Sequence, residues 1–218
     1  MTKEDIGLSI STLKEYTSGM IIRCREAVAL SVESMVSKNL EQAENVMNND
    51  DDIDLLREYI RDRSVELLAS DHPMVKDLRY IYALSDISTE LERIGDYAVN
   101  ICKETIAIGN DEHIKELIDI PKMAELCTKM LEDLETAFLN EDDELAYKIA
   151  LNDKELDELY YQIRKDSLRV MHKDPENNIN QGVRLLFVGR YLERIGDHIT
   201  NICEKIIYAK KGTMIELG

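Results

Sequence analysis

The 218 residues include no tryptophan, only three prolines and only nine glycines. With so few chain breakers and 33% charged residues, the composition suits a nearly all-helical protein. No apolar run is long enough to span a bilayer, and the N-terminal segment does not read as a signal peptide. A soluble, cytoplasmic chain is therefore expected. The four cysteines, Cys24, Cys102, Cys127 and Cys203, form no Cys-x-x-Cys pair. They read as small apolar core positions rather than zinc ligands or disulfides. Also missing are a Ser/His/Asp or Cys/His set, a phosphate-cradling glycine loop and a cofactor fingerprint, so catalysis is not expected. The net charge of −17 argues against direct binding to nucleic-acid phosphates. It suits cations or a basic protein surface as partners.

What the chain does have is a repeat. Leu91-Glu92-Arg93-Ile94-Gly95-Asp96 returns as Leu192-Glu193-Arg194-Ile195-Gly196-Asp197, and Asn100-Ile101-Cys102 returns as Asn201-Ile202-Cys203. Self-similarity at a fixed period marks two copies of one unit. Around the first copy, Leu84, Ile87, Leu91, Ile94, Ala98 and Ile101 recur at gaps of three and four. Leu185, Val188, Leu192, Ile195, Ile199 and Ile202 do the same around the second. Such stripes predict helices packed on other helices. Glu92 and Asp96 then stand one above the other on a neighbouring face, with Asn100 extending the row. Like charges at that spacing repel, and a glycine inside a helix costs about 1 kcal/mol against alanine. Twice-repeated carboxylates around Gly95 and Gly196, where a missing side chain admits a close neighbour, read as a site rather than a solvated face.

Taken in order, a first helix is expected from about Asp5 to Lys38, with Leu13, Met20, Cys24, Ala27 and Ser31 on one side. Asn39 followed by Gln42 reads as an N-cap with a capping-box partner. A second helix is expected to run unbroken from there to about Ser70 through Val46, Ile53, Ile60 and Leu67. Asp71-His72-Pro73 separates it from the third, which carries the motif and ends near Gly109. A connector leads through Asn110 and Asp111 to Pro121, and the plan repeats. Helices are expected over 121–139 and 143–172, and a last one starts at Asp174-Pro175 and runs to about Lys210. The division is thus 1–109 and 110–218, with three helices each. The second helices carry a further acidic pair, Asp50 and Asp54 in one unit and Asp153 and Asp157 in the other. If second and third helices are adjacent and antiparallel, four acids converge per unit. Carboxylates that close need a cation or protonation. Oxygen ligands suit magnesium, calcium, manganese or iron.

The doubled motif, the acidic pairs, the Asp77-Leu78-Arg79 approach segment and the Ile207-Tyr208 tail before Gly212 resemble the PhoU family over essentially the whole chain. The resemblance implies an all-α protein of two tandem three-helix bundles, with multinuclear metal clusters at the acidic motifs. It implies metal ligands Asp50, Asp54, Glu92 and Asp96 in one cluster and Asp153, Asp157, Glu193 and Asp197 in the other, with Asn100 and Asn201 as second choices. The expected ions are divalent or trivalent: iron, manganese, magnesium or calcium. A homodimer is implied, as is a non-enzymatic role peripheral to the inner face of the membrane. There the family couples the phosphate ABC transporter, through its ATPase subunit, to the sensor histidine kinase of the phosphate regulon, and keeps that response off when phosphate is plentiful. One departure is that the motif aspartate is followed by His198 in the second unit and Tyr97 in the first. The rival readings are a ferritin-like di-iron carboxylate oxidoreductase and a metal-free helical adaptor facing a basic partner. The first needs Glu-x-x-His pairs, and none of His72, His113, His172 or His198 follows a glutamate by three.

Overall fold

The computed structural model describes residues 3–69 and 74–217. Among these the chain forms eight helices and no strand: α1 (Lys3–Ser37), α2 (Leu40–Asn48), α3 (Asp51–Leu68), α4 (Val75–Ile108), α5 (Asp119–Asn140), α6 (Asp143–Ala150), α7 (Asp153–Lys173) and α8 (Pro175–Lys211). α1, α2–α3 and α4 make one three-helix bundle, and α5, α6–α7 and α8 the other. The expected turn at Asp71-His72-Pro73 lies outside the described residues.

The expected stripes are the core. Leu84, Ile87, Leu91, Ile94, Ala98 and Ile101 are buried along α4, as are their six counterparts along α8. The repeat extends to hydrogen bonds. Cys24 Sγ donates to the carbonyl of Leu91 at 3.1 Å, and Cys127 Sγ to that of Leu192 at 3.5 Å. All four cysteines are free and buried, and burial pushes their thiols up.

The caps follow the sequence closely. Asn39 Oδ1 accepts from the Gln42 amide at 3.0 Å, although the Gln42 side chain answers Asn39's side-chain amide rather than its backbone. Asp174 caps α8 ahead of Pro175. α4 and α8 end on Gly109 and Gly212, whose φ values of 68° and 74° lie in the region that favours glycine.

The second helix of each unit is not continuous, contrary to the expectation of one unbroken helix. It breaks at Asn49-Asp50 in the first unit and at Leu151-Asn152 in the second. At the first break Ile53 N donates to Asp50 O at 2.9 Å, and at the second Glu155 N donates to Asn152 O at 2.9 Å, a tighter i→i+3 pattern. Asn152 Nδ2 also donates to the carbonyl of Ile149 at 3.1 Å, competing with the helical ladder.

α4 and α8 run antiparallel against each other: Tyr82 meets Tyr208, Glu90 meets His198, Tyr97 meets Tyr191 and Glu104 meets Arg184. A shift of 101 residues, the distance from Glu92 to Glu193, exchanges the Tyr97–Tyr191 pair with the His198–Glu90 pair. The seam is therefore a pseudo-two-fold, and its axis passes through the two motifs. With α1 also against α5, one hydrophobic core runs through both units. The connector 109–118 is held by Gln181, whose Oε1 accepts from Ile114 N at 2.7 Å and whose Nε2 donates to Glu112 O at 3.1 Å.

Candidate metal sites

Each site is built where a helix break meets a motif glycine. Asp50 sits at the N-cap position of α3 but makes no side-chain capping bond. Its carboxylate points at α4 instead, where a Cβ on Gly95 would come within 2.8 Å of Asp50 Oδ1. In the second unit a Cβ on Gly196 would strike Leu156 and come within 2.9 Å of Asp153 Oδ1. The motif glycines thus admit an acid from the neighbouring helix, as their place between two carboxylates suggested.

The acids of each unit share one region. Burial pushes the half-buried Asp50 up to about 6, helped by the negative charges of Asp54, Asp96 and Glu92. Asp153 is likewise pushed up to about 6 by burial, then by Asp197 and Asp157. Burial and Asp96 raise Glu92 against the pull of Arg93 and Arg57, and burial and Asp197 raise Glu193 against Arg190 and Arg194. Among the described residues, no three Asp, Glu, His or Cys side chains already stand as a closed metal-binding group.

Four arginines occupy that space. Arg93 reaches Glu92 at 3.5 Å and Asp96 at 3.2 Å, and Arg57 reaches Glu92 at 3.7 Å and Asp54 at 3.9 Å. In the second unit Arg194 pairs with Asp197 at 3.2 Å and Arg190 pairs with Glu193. Three carboxylate oxygens nevertheless stay buried without a hydrogen bond: Glu92 Oε2, Asp153 Oδ1 and Glu193 Oε2. Glu193 is only 8% exposed. Buried carboxylate oxygens lacking donors suit a hard cation, which supplies the missing positive charge. A groove of about 430 Å³ lined by Arg23, Asn49, Asp50 and Asp52 gives the first site access to solvent.

Each of the two asparagines makes one further polar contact. Asn100 Oδ1 accepts from Lys103 at 3.3 Å, and Asn201 Nδ2 donates to Glu90 Oε2 at 2.9 Å across the seam. His198 Nδ1 lies 2.7 Å from the same Glu90 oxygen and its ring 5.6 Å from that of Tyr97. Burial draws Glu90 upward, but the hydrogen bonds from His198 and Asn201 outweigh it and hold the carboxyl below its ordinary value. So the His198/Tyr97 departure is a feature of the seam. Sequence reasoning overlooked Arg57 and Arg190. The signal available was their failure to repeat: Tyr160 and Thr89 stand at the equivalent positions.

A family model described as the PhoU domain matches residues 17–105 and again 120–206. A phosphate-specific transport system accessory protein PhoU homolog of Clostridium acetobutylicum is 32% identical over 216 residues, covering 99% of this chain and 95% of its own. A homolog of the same description from Aquifex aeolicus is 34% identical over 203 residues, with 93% and 91% covered. Among solved structures, the phosphate transport system regulatory protein PhoU of Streptococcus pneumoniae superposes with a TM-score of 0.90 at 28% identity, covering 97% of this chain and 99% of that one. PhoU of Pseudomonas aeruginosa gives 0.80 at 27%, with 96% and 97% covered.

Proposed function

Because this chain belongs to the PhoU family, we propose that it is a non-enzymatic, metal-binding regulator of phosphate uptake and of the phosphate-starvation response. Its partners are the phosphate ABC transporter, through the ATPase subunit, and the sensor histidine kinase of that response. It works as a homodimer on the cytoplasmic side, at a membrane complex it does not enter. No described helix is long and apolar enough to cross a membrane. The relatives' description as accessory proteins of phosphate-specific transport supports the regulatory half.

The metal half rests on one observation, the buried carboxylate oxygens of Glu92, Asp153 and Glu193 that lack a hydrogen-bond donor. Asp50, Asp54, Glu92 and Asp96 hold one group of ions, and Asp153, Asp157, Glu193 and Asp197 the other. Oxygen-only ligation favours iron, manganese, magnesium or calcium over structural zinc. Bound metal would supply positive charge that ties the middle helix of each bundle to the motif helix. Asn100 and Asn201 remain second choices that could complete a shell through an amide oxygen, since the contact of Asn201 with Glu90 uses only its Nδ2.

Titration of chelator-treated protein with Mn²⁺ tests the metal half. Glu92→Gln with Asp96→Asn should remove the first site's thermal stabilisation, about RT ln(1 + [L]/Kd), and leave the second. A double variant that keeps full stoichiometry would make these acids a solvated face, and a parent protein that binds no Mn²⁺ would leave the metal-free adaptor. Deleting the gene should derepress phosphate-starvation genes in high phosphate. An unchanged response would refute the regulatory half.

A further inference from the structure

The two acidic sites carry the same nominal charge, four carboxylates and two arginines each, yet the arginines are placed differently. In the second unit both lie on α8, each three residues from the acid it holds: Arg190 pairs with Glu193 and Arg194 with Asp197. Among the described residues, no Lys or Arg pairs with Asp153 or Asp157 on α7. Glu193 keeps its second oxygen buried and without a donor. In the first unit Arg93 plays the part of Arg194, but the other cation comes from the opposite wall. Arg57 on α3 spans to α4, with Nη2 3.9 Å from Asp54 and Nη1 3.7 Å from Glu92. Cations therefore touch three of the four acids of the first site, on both helices, and two acids of the second, on one helix only.

Arg57 is held loosely for so central a group. Neither contact is a hydrogen bond by distance, and its buried Nε has no partner. A guanidinium there neutralises charge without being locked in place. Tyr160 stands at its position in the second unit and lies beside Arg190, 6.0 Å from ring to guanidinium, and carries no positive charge to set against Asp157.

We propose that Arg57 is a built-in competitor for the first acidic site, so that the two sites take up metal in order, the second before the first. The inference rests on the metal reading above. Before a cation can draw Asp54 and Glu92 together, Arg57 must give up both acids and leave the wall between α3 and α4. No cross-helix cation has to leave the second site. The first site would thus respond to metal at concentrations where the second is already filled.

The test is Mn²⁺ titration of chelator-treated full-length protein, followed by the electron paramagnetic resonance of free Mn²⁺ and by thermal melting. E92Q/D96N isolates the second site and E193Q/D197N the first. The isolated second site should bind more tightly. Adding Arg57→Gln to E193Q/D197N should tighten the first site about tenfold, whereas Arg57→Lys should leave it weak. Adding Tyr160→Arg to E92Q/D96N should weaken the second site, with the melting curve confirming that the variant folds. Measurable binding with equal constants at the two isolated sites, or no response to Arg57→Gln, overturns the proposal. Absence of Mn²⁺ binding in every protein overturns the metal reading itself, and the ordering with it.

Discussion

Gly95 separates two demands on one residue. As a mid-helix glycine it weakens α4 by about 1 kcal/mol relative to alanine. As the floor under Asp50 it leaves room that a Cβ would fill, 2.8 Å from the carboxylate and 3.1 Å from Ile53 Cδ1. Gly95→Ala should therefore leave stability within about 1 kcal/mol of the parent, propensity offsetting crowding. It should weaken Mn²⁺ at the first site by about tenfold or more. Calorimetry and metal titration on one sample would separate these effects. Asp50 shares the pH dependence with Asp153. Its carboxyl is raised from 3.8 to about 6, so its contribution to folding is complete below 3.8 and is lost as pH climbs through 6. In chelator-treated protein Asp50→Asn should stabilise the fold at neutral pH by about 1 kcal/mol, a value discounted because half of the carboxyl is still solvated. Near pH 4 the gain should vanish, and melting curves at the two pH values would check it.

At the scale of elements, the breaks between α2 and α3 and between α6 and α7 set the sites. The backbones of Asn49 and Asn152 stay hydrogen-bonded through the breaks, Asn49 N to Asn45 O at 3.1 Å and Asn152 N to Ile149 O at 3.0 Å, so the breaks leave neither amide orphaned. The tighter turn places Asp50 and Asp153 at a helix start, where the dipole favours negative charge. The connector is held as firmly, by a residue that has no equivalent partner in the first unit. The counterpart of Gln181 is Tyr80, whose buried hydroxyl has no hydrogen-bond partner. Gln181→Ala leaves the Ile114 N–H without its acceptor and should cost about 2 kcal/mol. The amide of Ile114 should then exchange faster in hydrogen-exchange measurements, while amides in the middle of α4 quicken only as far as global stability falls.

For the whole molecule, the decisive fact is that the core does not stop at the repeat boundary. α4 packs on α8 and α1 on α5, and a single apolar cluster runs through both units. A fragment of residues 1–109 would expose the seam face of α4, with Glu90 and Tyr97 stripped of His198 and Tyr191. It should melt without a cooperative transition, and mixing it with 110–218 should restore one. The intact chain should give a single calorimetric transition, because neither bundle buries its core alone.

Helix positions, buried faces, caps and the repeat were determined by the sequence itself, because each depends on spacing within one segment. Leu91 is buried for the same reason that Leu84 and Ile94 are: the three share a face at 3.6 residues per turn. The glycine between two carboxylates was legible too, since a missing Cβ has one main use in a packed helix. Only the tertiary structure decided what crosses between helices. Nothing near Arg57 in the chain says that its guanidinium reaches Glu92, thirty-five positions on, and nothing near Asn201 says that its amide belongs to Glu90. The breaks at Asn49 and Asn152 were hidden for a related reason. Asn and Asp favour caps and turns over helix interiors, but the apolar spacing runs on across both breaks and masks that local preference, which the packing of Ile53 and Leu156 under the motif glycines reinforces.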